Sequence, residues 1–176
     1  MGAAELRRAL FRLPLAVERI AGWGVVRLAT RLTGVEWIVL ETIGRRSGRR
    51  HPVVVDVVGC DAARSIWYVQ PADGWRSAWV HNVRAHPEIV ARVDGRPLRV
   101  SVRDATGAEG ADVVLRFLRT HPWYGRVIVW LVGYVDRINV PDAELRQALL
   151  TTPVFAVERA DSPQRHGGTT TQPQSL

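Results

Sequence analysis

The sequence predicts an α+β fold: a mostly antiparallel sheet of about six strands, closed or half-closed into a small barrel, with helices at its periphery. Three observations predict it. Short β-branched and aromatic runs between residues 36 and 70 follow one another across brief turns. That leaves no chain for the helical crossovers a parallel sheet requires. An Asp94-Gly95 pair between two further apolar runs marks a tight hairpin. Helical periodicity comes before these runs, beside them and after them.

Residues 5–32 read as an amphipathic helix. Leu6, Leu10, Leu13, Val17, Ile20, Gly24, Leu28 and Leu32 line one face, and Arg7, Arg8, Arg12, Glu18, Arg19, Arg27 and Arg31 fall largely on the other. Pro14 splits or kinks it. Two readings are open: a helix packed on its own domain, or a membrane-surface contact with arginines toward anionic lipid. Thr33-Gly34 closes the segment.

The period then changes to two. Glu36–Thr42 is a strand, Gly44–Pro52 a basic turn, and Pro52–Val58 a second strand rich in valine. Gly59–Ala63 reads as a turn holding Cys60, and Arg64–Gln70 as a third strand. A loop, Pro71–Ser77, carries Trp75 and Arg76 among turn formers. Ala78–Ala85 is a short helix stopped by His86-Pro87. Strands Glu88–Val93 and Leu98–Arg103 flank the hairpin, and Asp104 is placed to cap a helix over 108–120. His121–Gly125 breaks that helix. Apolar helix 126–137, short helix 142–150 and closing strand Pro153–Arg159 follow. From Ala160 the composition is that of a disordered tail. The organisation is therefore a helical segment over 1–34, a barrel domain over 35–159 and a tail over 160–176.

Composition narrows the function classes. The chain has 176 residues, 47% of them apolar, which suits one domain with a real core. Its net charge is +7, and all 24 basic residues are arginine. Such a charge favours anionic partners. No zinc-finger spacing or RNA-recognition signature supports nucleic acid. Cys60 is the sole cysteine, which excludes an internal disulfide and a cysteine-based metal cluster. No signal peptide is evident, and the apolar run Val127–Val135 is too short to span a bilayer as a helix, so a cytoplasmic location is expected, with or without peripheral membrane contact.

The stretch Gly44-Arg45-Arg46-Ser47-Gly48-Arg49-Arg50-His51-Pro52 carries the chemistry. Its glycines permit a tight backbone, and clustered guanidinium forks suit a phosphate or carboxylate. Taken alone it is equally an ordinary solvated hairpin turn.

Its context decides between them. The Gly44–Gly48 turn lies upstream of Trp79-Val80-His81-Asn82-Val83-Arg84-Ala85-His86-Pro87. This pair of motifs resembles the deazaflavin-dependent nitroreductases, also described as deazaflavin-dependent quinone reductases. That family has a split β-barrel fold and binds coenzyme F420, and the resemblance covers roughly residues 36–103. It implies that Arg45, Arg46 and Ser47 hold the coenzyme's phosphate and acidic tail, with Arg49 extending the cradle. It places Pro52, Val53 and Val54 along the ring. It closes the loop of Ala72, Gly74, Trp75, Arg76 and Ser77 over that ring, and makes Trp79 and Asn82 contact or packing residues. The chain departs from the family's Pro-Arg after the turn, which here is Arg50-His51, so an imidazole replaces the next basic contact.

The resemblance further implies hydride transfer from reduced F420 to a hydrophobic acceptor such as a quinone, an enone or a nitro-aromatic compound. Tyr124 is the candidate proton donor or substrate-positioning group, with Tyr134 as a further candidate. The rival readings are a lipid- or fatty-acid-binding barrel without enzymatic activity and a barrel that binds FMN. No metal site is expected. Oligomeric state is left open.

Overall fold

The computed structural model describes residues 30–31, 34–71, 73–122 and 140–160. Six strands are formed: β1 Trp37–Ile43, β2 Arg50–Asp61, β3 Ile66–Val69, β4 Glu88–Val93, β5 Arg96–Asp104 and β6 Phe155–Arg159. They make a closed barrel in the order β1-β2-β3-β6-β5-β4, with β4 returning to β1. Every ladder is antiparallel, as the short connections require for β1–β2, β2–β3 and β4–β5.

Strand alternation sorts the side chains. Ile38 and Leu40, Val55 and Val57, Val69, Ile89 and Ala91, Val100 and Val102, and Phe155 and Val157 share one buried cluster inside the barrel. Helix α1, Ala78–Ala85, adds Trp79, Val80 and Val83 to that cluster and so plugs one end. A second cluster lies on the outer wall. There Val58, Ile66, Tyr68 and Ala156 meet Val114 and Phe117 of α2, Ala108–Thr120. Helix α3, Asp142–Leu149, packs on α2 and is tied to it by Arg146–Asp112 and Arg119–Asp142 ion pairs.

Several expectations meet the structure residue for residue: α1 and β4 have the bounds read from the sequence. Three do not. Strand β2 runs on through Gly59, Cys60 and Asp61, and the turn comes later, at 62–65. A register shift between Val57 and Gly59 makes this possible, with Gly59 packed directly under Val113. Cys60 is therefore a strand residue; partial burial, then Glu36 and Asp61, push its thiol up. Asp104 does not cap α2. It ends β5, its Oδ1 accepts the Thr106 N–H at 3.0 Å, and Gly107 stands at the helix start with no side-chain cap. Asp104 burial opposes ionisation, but Thr106 and Arg84 outweigh it and hold the carboxyl below its usual range.

The expected helix over 5–32, apart from Thr30 and Arg31, lies outside the described residues, as do helix 126–137, Tyr124, Tyr134, Ala72 and the tail from 161. Among the described residues no helix is long and apolar enough to cross a membrane.

Candidate functional site

The basic stretch connects β1 to β2 at the barrel end plugged by α1. Two backbone bonds close it: Gly44 N–H donates to Arg49 O and Gly48 N–H to Gly44 O, both at 2.8 Å. Gly48 has φ +64°, a left-handed value that other residues adopt only at a cost. Gly44 is buried, and a Cβ there would stand 2.5 Å from Ser47 Oγ and 2.8 Å from His51 Nε2. Those two groups contact each other at 3.3 Å, and Arg49 N–H donates to Ser47 Oγ at 3.3 Å. Ser47 and His51 thus brace the turn from within. The side chains of Arg45, Arg46 and Arg49 are exposed and have no acidic partner among the described residues.

Beneath the turn sits a buried polar pair. Thr42 (0% exposed) and Asn82 (9%) are the buried polar side chains among the described residues. Asn82 Nδ2 donates to Thr42 Oγ1 at 3.2 Å, and Thr42 Oγ1 donates to His51 O at 3.0 Å. Asn82 Oδ1 accepts the Arg45 N–H at 3.2 Å. One amide on α1 is therefore bonded to the strand before the turn and to the turn itself.

The loop after β3 reaches the same barrel end. Its 3-10 turn, Gly74–Arg76, leads through Ser77 into α1. Trp75 is 38% exposed, the one large exposed apolar residue among those described. Its ring meets Phe155 edge-on at 6.1 Å, and the Arg84 guanidinium lies 4.5 Å from its centroid. Arg84 is itself held by Asp104 at 2.8 Å. Trp79 is buried and packs edge-on against Phe155 at 5.3 Å, so it supports the core below.

The structure thus brings Arg45, Arg46, Ser47, Arg49, His51, Gly74, Trp75, Arg76 and Ser77 to one end of the barrel, with Asn82 beneath them. Pro52–Val54 divides by strand alternation. Val53 packs against the interior cluster, whereas Pro52 and Val54 belong to the other face. Arg50 leaves the turn altogether, paired to Glu41 at 3.2 Å. Thr42 was missed from sequence, although its signal was present. It falls in the inward series Ile38, Leu40, Thr42, just as Asn82 falls on the apolar face of α1 with Trp79 and Val83. Two polar residues at apolar positions of neighbouring elements predict a pair.

The donor set fits a polyanionic group: exposed guanidinium forks on a glycine-shaped turn, at the same barrel end as an exposed indole. Among the described residues no cluster of His, Cys, Asp and Glu could hold a metal ion.

Solved structures similar to this chain include the following two. One, described as an F420-H2 dependent reductase, has 20% identity and a TM-score of 0.47, covering 70% of this chain and 94% of its own. Another, described as a domain-swapped dimer, has 16% identity and a TM-score of 0.44, covering 78% and 98%. Comparison with curated proteins gives no match. The model of the F420H(2)-dependent quinone reductases matches residues 14–130, which hold both the basic turn and the Trp79–Pro87 segment. The chain belongs to the F420H(2)-dependent quinone reductase family, and is an oxidoreductase that uses coenzyme F420.

Proposed function

We propose that the protein reduces a hydrophobic, quinone-like acceptor at the barrel end that carries both the basic turn and the Trp75 loop. When bound, reduced F420 supplies the hydride; the acceptor's reduction is completed by a proton. Arg45, Arg46 and Arg49 hold the coenzyme's phosphate and acidic tail through charge-assisted hydrogen bonds, while Ser47 and His51 keep the turn in shape. Trp75 offers an exposed flat apolar surface against which a planar acceptor or ring packs and from which water is excluded. Enones and nitro-aromatic compounds share the planarity and electron demand of a quinone and belong to the same substrate class. Tyr124 is the candidate proton donor or substrate-positioning group, with Tyr134 as a further candidate.

One observation carries this reading: three exposed guanidinium groups without acidic partners among the described residues, presented by a turn whose backbone is braced from below. A solvated hairpin needs no such bracing. The test is titration of the protein with F420, with FMN and with a fatty acid, followed by oxidation of reduced F420 with a soluble quinone. The reading predicts F420 binding and quinone-dependent oxidation. Binding of FMN alone, or of lipid alone, would replace it with one of those readings.

A further inference from the structure

We infer that Thr42 and Asn82 are positioning residues for the anion-binding turn, acting as a buried lock that presets the turn before the cofactor arrives. The inference rests on the assignment of the turn as the F420 tail site. Neither side chain reaches the turn's outer surface, since Thr42 is fully buried and Asn82 is 9% exposed. Their influence on an anion must pass through the backbone.

The lock is a directed chain of hydrogen bonds. Asn82 Nδ2–H donates to Thr42 Oγ1, whose O–H donates to the His51 carbonyl, while Asn82 Oδ1 takes the Arg45 N–H. Thr42 and His51 are also cross-strand partners. Three contacts therefore fix the strand entering the turn, the residue just inside it and the strand leaving it, all relative to α1. With the Arg45 N–H turned toward α1, the orientation of the peptide linking Gly44 to Arg45 is set.

Stability alone does not account for this pair. It adjoins the apolar cluster of Leu40, Val80 and Val83, where a well-packed apolar pair holds an interior together as well as a polar one. What hydrogen bonds add there is direction. A turn carrying several like charges is otherwise driven apart by their repulsion, and ordering it on binding lowers affinity. Presetting it with uncharged groups removes that cost without neutralising the arginines.

Thr42→Val keeps the β-branched shape and removes only the hydroxyl, and Thr42→Ser restores the hydroxyl. Two readouts are taken on each: F420 affinity, and hydrogen exchange of the Arg45 amide in the free protein. We expect Thr42→Val to exchange the Arg45 amide at least about ten-fold faster and to weaken F420 binding by about ten-fold, with turnover at saturating cofactor falling far less. Thr42→Ser should recover both to within about three-fold of the parent. Unaltered exchange and affinity in Thr42→Val would overturn the inference. So would a loss in both variants alike that tracks a fall in thermal stability, because that is a packing effect. If the parent protein fails to bind F420, the tail-site assignment falls, while exchange at Arg45 still decides whether the pair orders the turn. Asn82→Leu, should it fold, gives the same two readouts from the helix side.

Discussion

Arg50, the last arginine of the basic stretch, is turned away from the turn by Glu41, whose Oε2 lies 3.2 Å from its Nη1. The other oxygen of Glu41 holds Arg92 at 2.8 Å, so one carboxylate anchors two guanidinium groups on the β1 side of the barrel. The run of basic residues in sequence is thus split in space. Arg45, Arg46 and Arg49 are left without an acidic partner among the described residues, and Arg50 is not. Arg46→Ala should weaken F420 binding roughly ten- to hundred-fold, the worth of about 1.5–3 kcal/mol for a hydrogen bond between charged groups. Arg50→Ala should weaken it less than about three-fold, because a partly exposed ion pair contributes little beyond its own locality. Affinities of the two variants measured side by side check this, and equal losses would put Arg50 back in the site.

Gly44→Ala should disturb binding more than stability. Its new methyl group would displace the Ser47 hydroxyl and the His51 ring, both ends of side chains that can move outward. The barrel tolerates that movement, with an expected loss of about 1 kcal/mol or less. The brace from Ser47 to the Arg49 N–H is lost, and F420 affinity should fall several-fold. A denaturation midpoint and a binding isotherm on one preparation separate the two effects.

Glu36 provides a pH test of the opposite end of the barrel. Burial raises its carboxyl above the usual range, and the neighbouring charge of Asp94 adds to it. A carboxyl raised in the folded state ionises first in the unfolded chain. Its contribution to stability is therefore present below the unfolded value and lost as pH rises through the folded one. Glu36→Gln should be more stable than the parent at about pH 7.5, and the difference should shrink toward about pH 4. Urea midpoints at both values check this.

Glu109 should show the reverse dependence. Hydrogen bonding from Arg103 depresses its carboxyl, burial opposes this, and Tyr68 at 2.8 Å adds to the depression. Stability from this group is complete above the unfolded carboxyl value and is lost as pH falls through the depressed one. Glu109→Gln should flatten the acid side of the stability profile, with the effect reduced because the pair is partly exposed. The same variant should leave F420 affinity within about two-fold, since Glu109 belongs to the outer wall.

Much of this fold is legible in the sequence because its elements are short and their boundaries carry strong local signals. Helix α1 ends where His86-Pro87 forbids another turn, and β4 and β5 meet at Asp94-Gly95, where Asp94 itself has φ +50°. The length of β2 was not legible. Gly59-Cys60-Asp61 has the composition of a turn, and the need for a glycine there comes from Val113, far away in sequence. Asp104 likewise has the residue type and near-position of a cap, but Thr106 and Arg84 claim its oxygens. At the site, the turn and its arginines were readable from residue types. The removal of Arg50 by Glu41 was not, because it depends on the register that sets Glu41 beside Pro52 and Arg50 beside Ile43. The partnership of Thr42 with Asn82 needed the closed barrel to bring β1 against α1.

The most direct test of the account is the affinity of the purified protein for F420, measured on the parent and on a variant in which Arg45, Arg46 and Arg49 are all replaced by alanine. The account predicts that the parent binds F420 and oxidises its reduced form when a quinone is added, and that the triple variant folds but loses binding by at least about a hundred-fold. A triple variant that still binds F420 as the parent does would contradict the assignment of the turn.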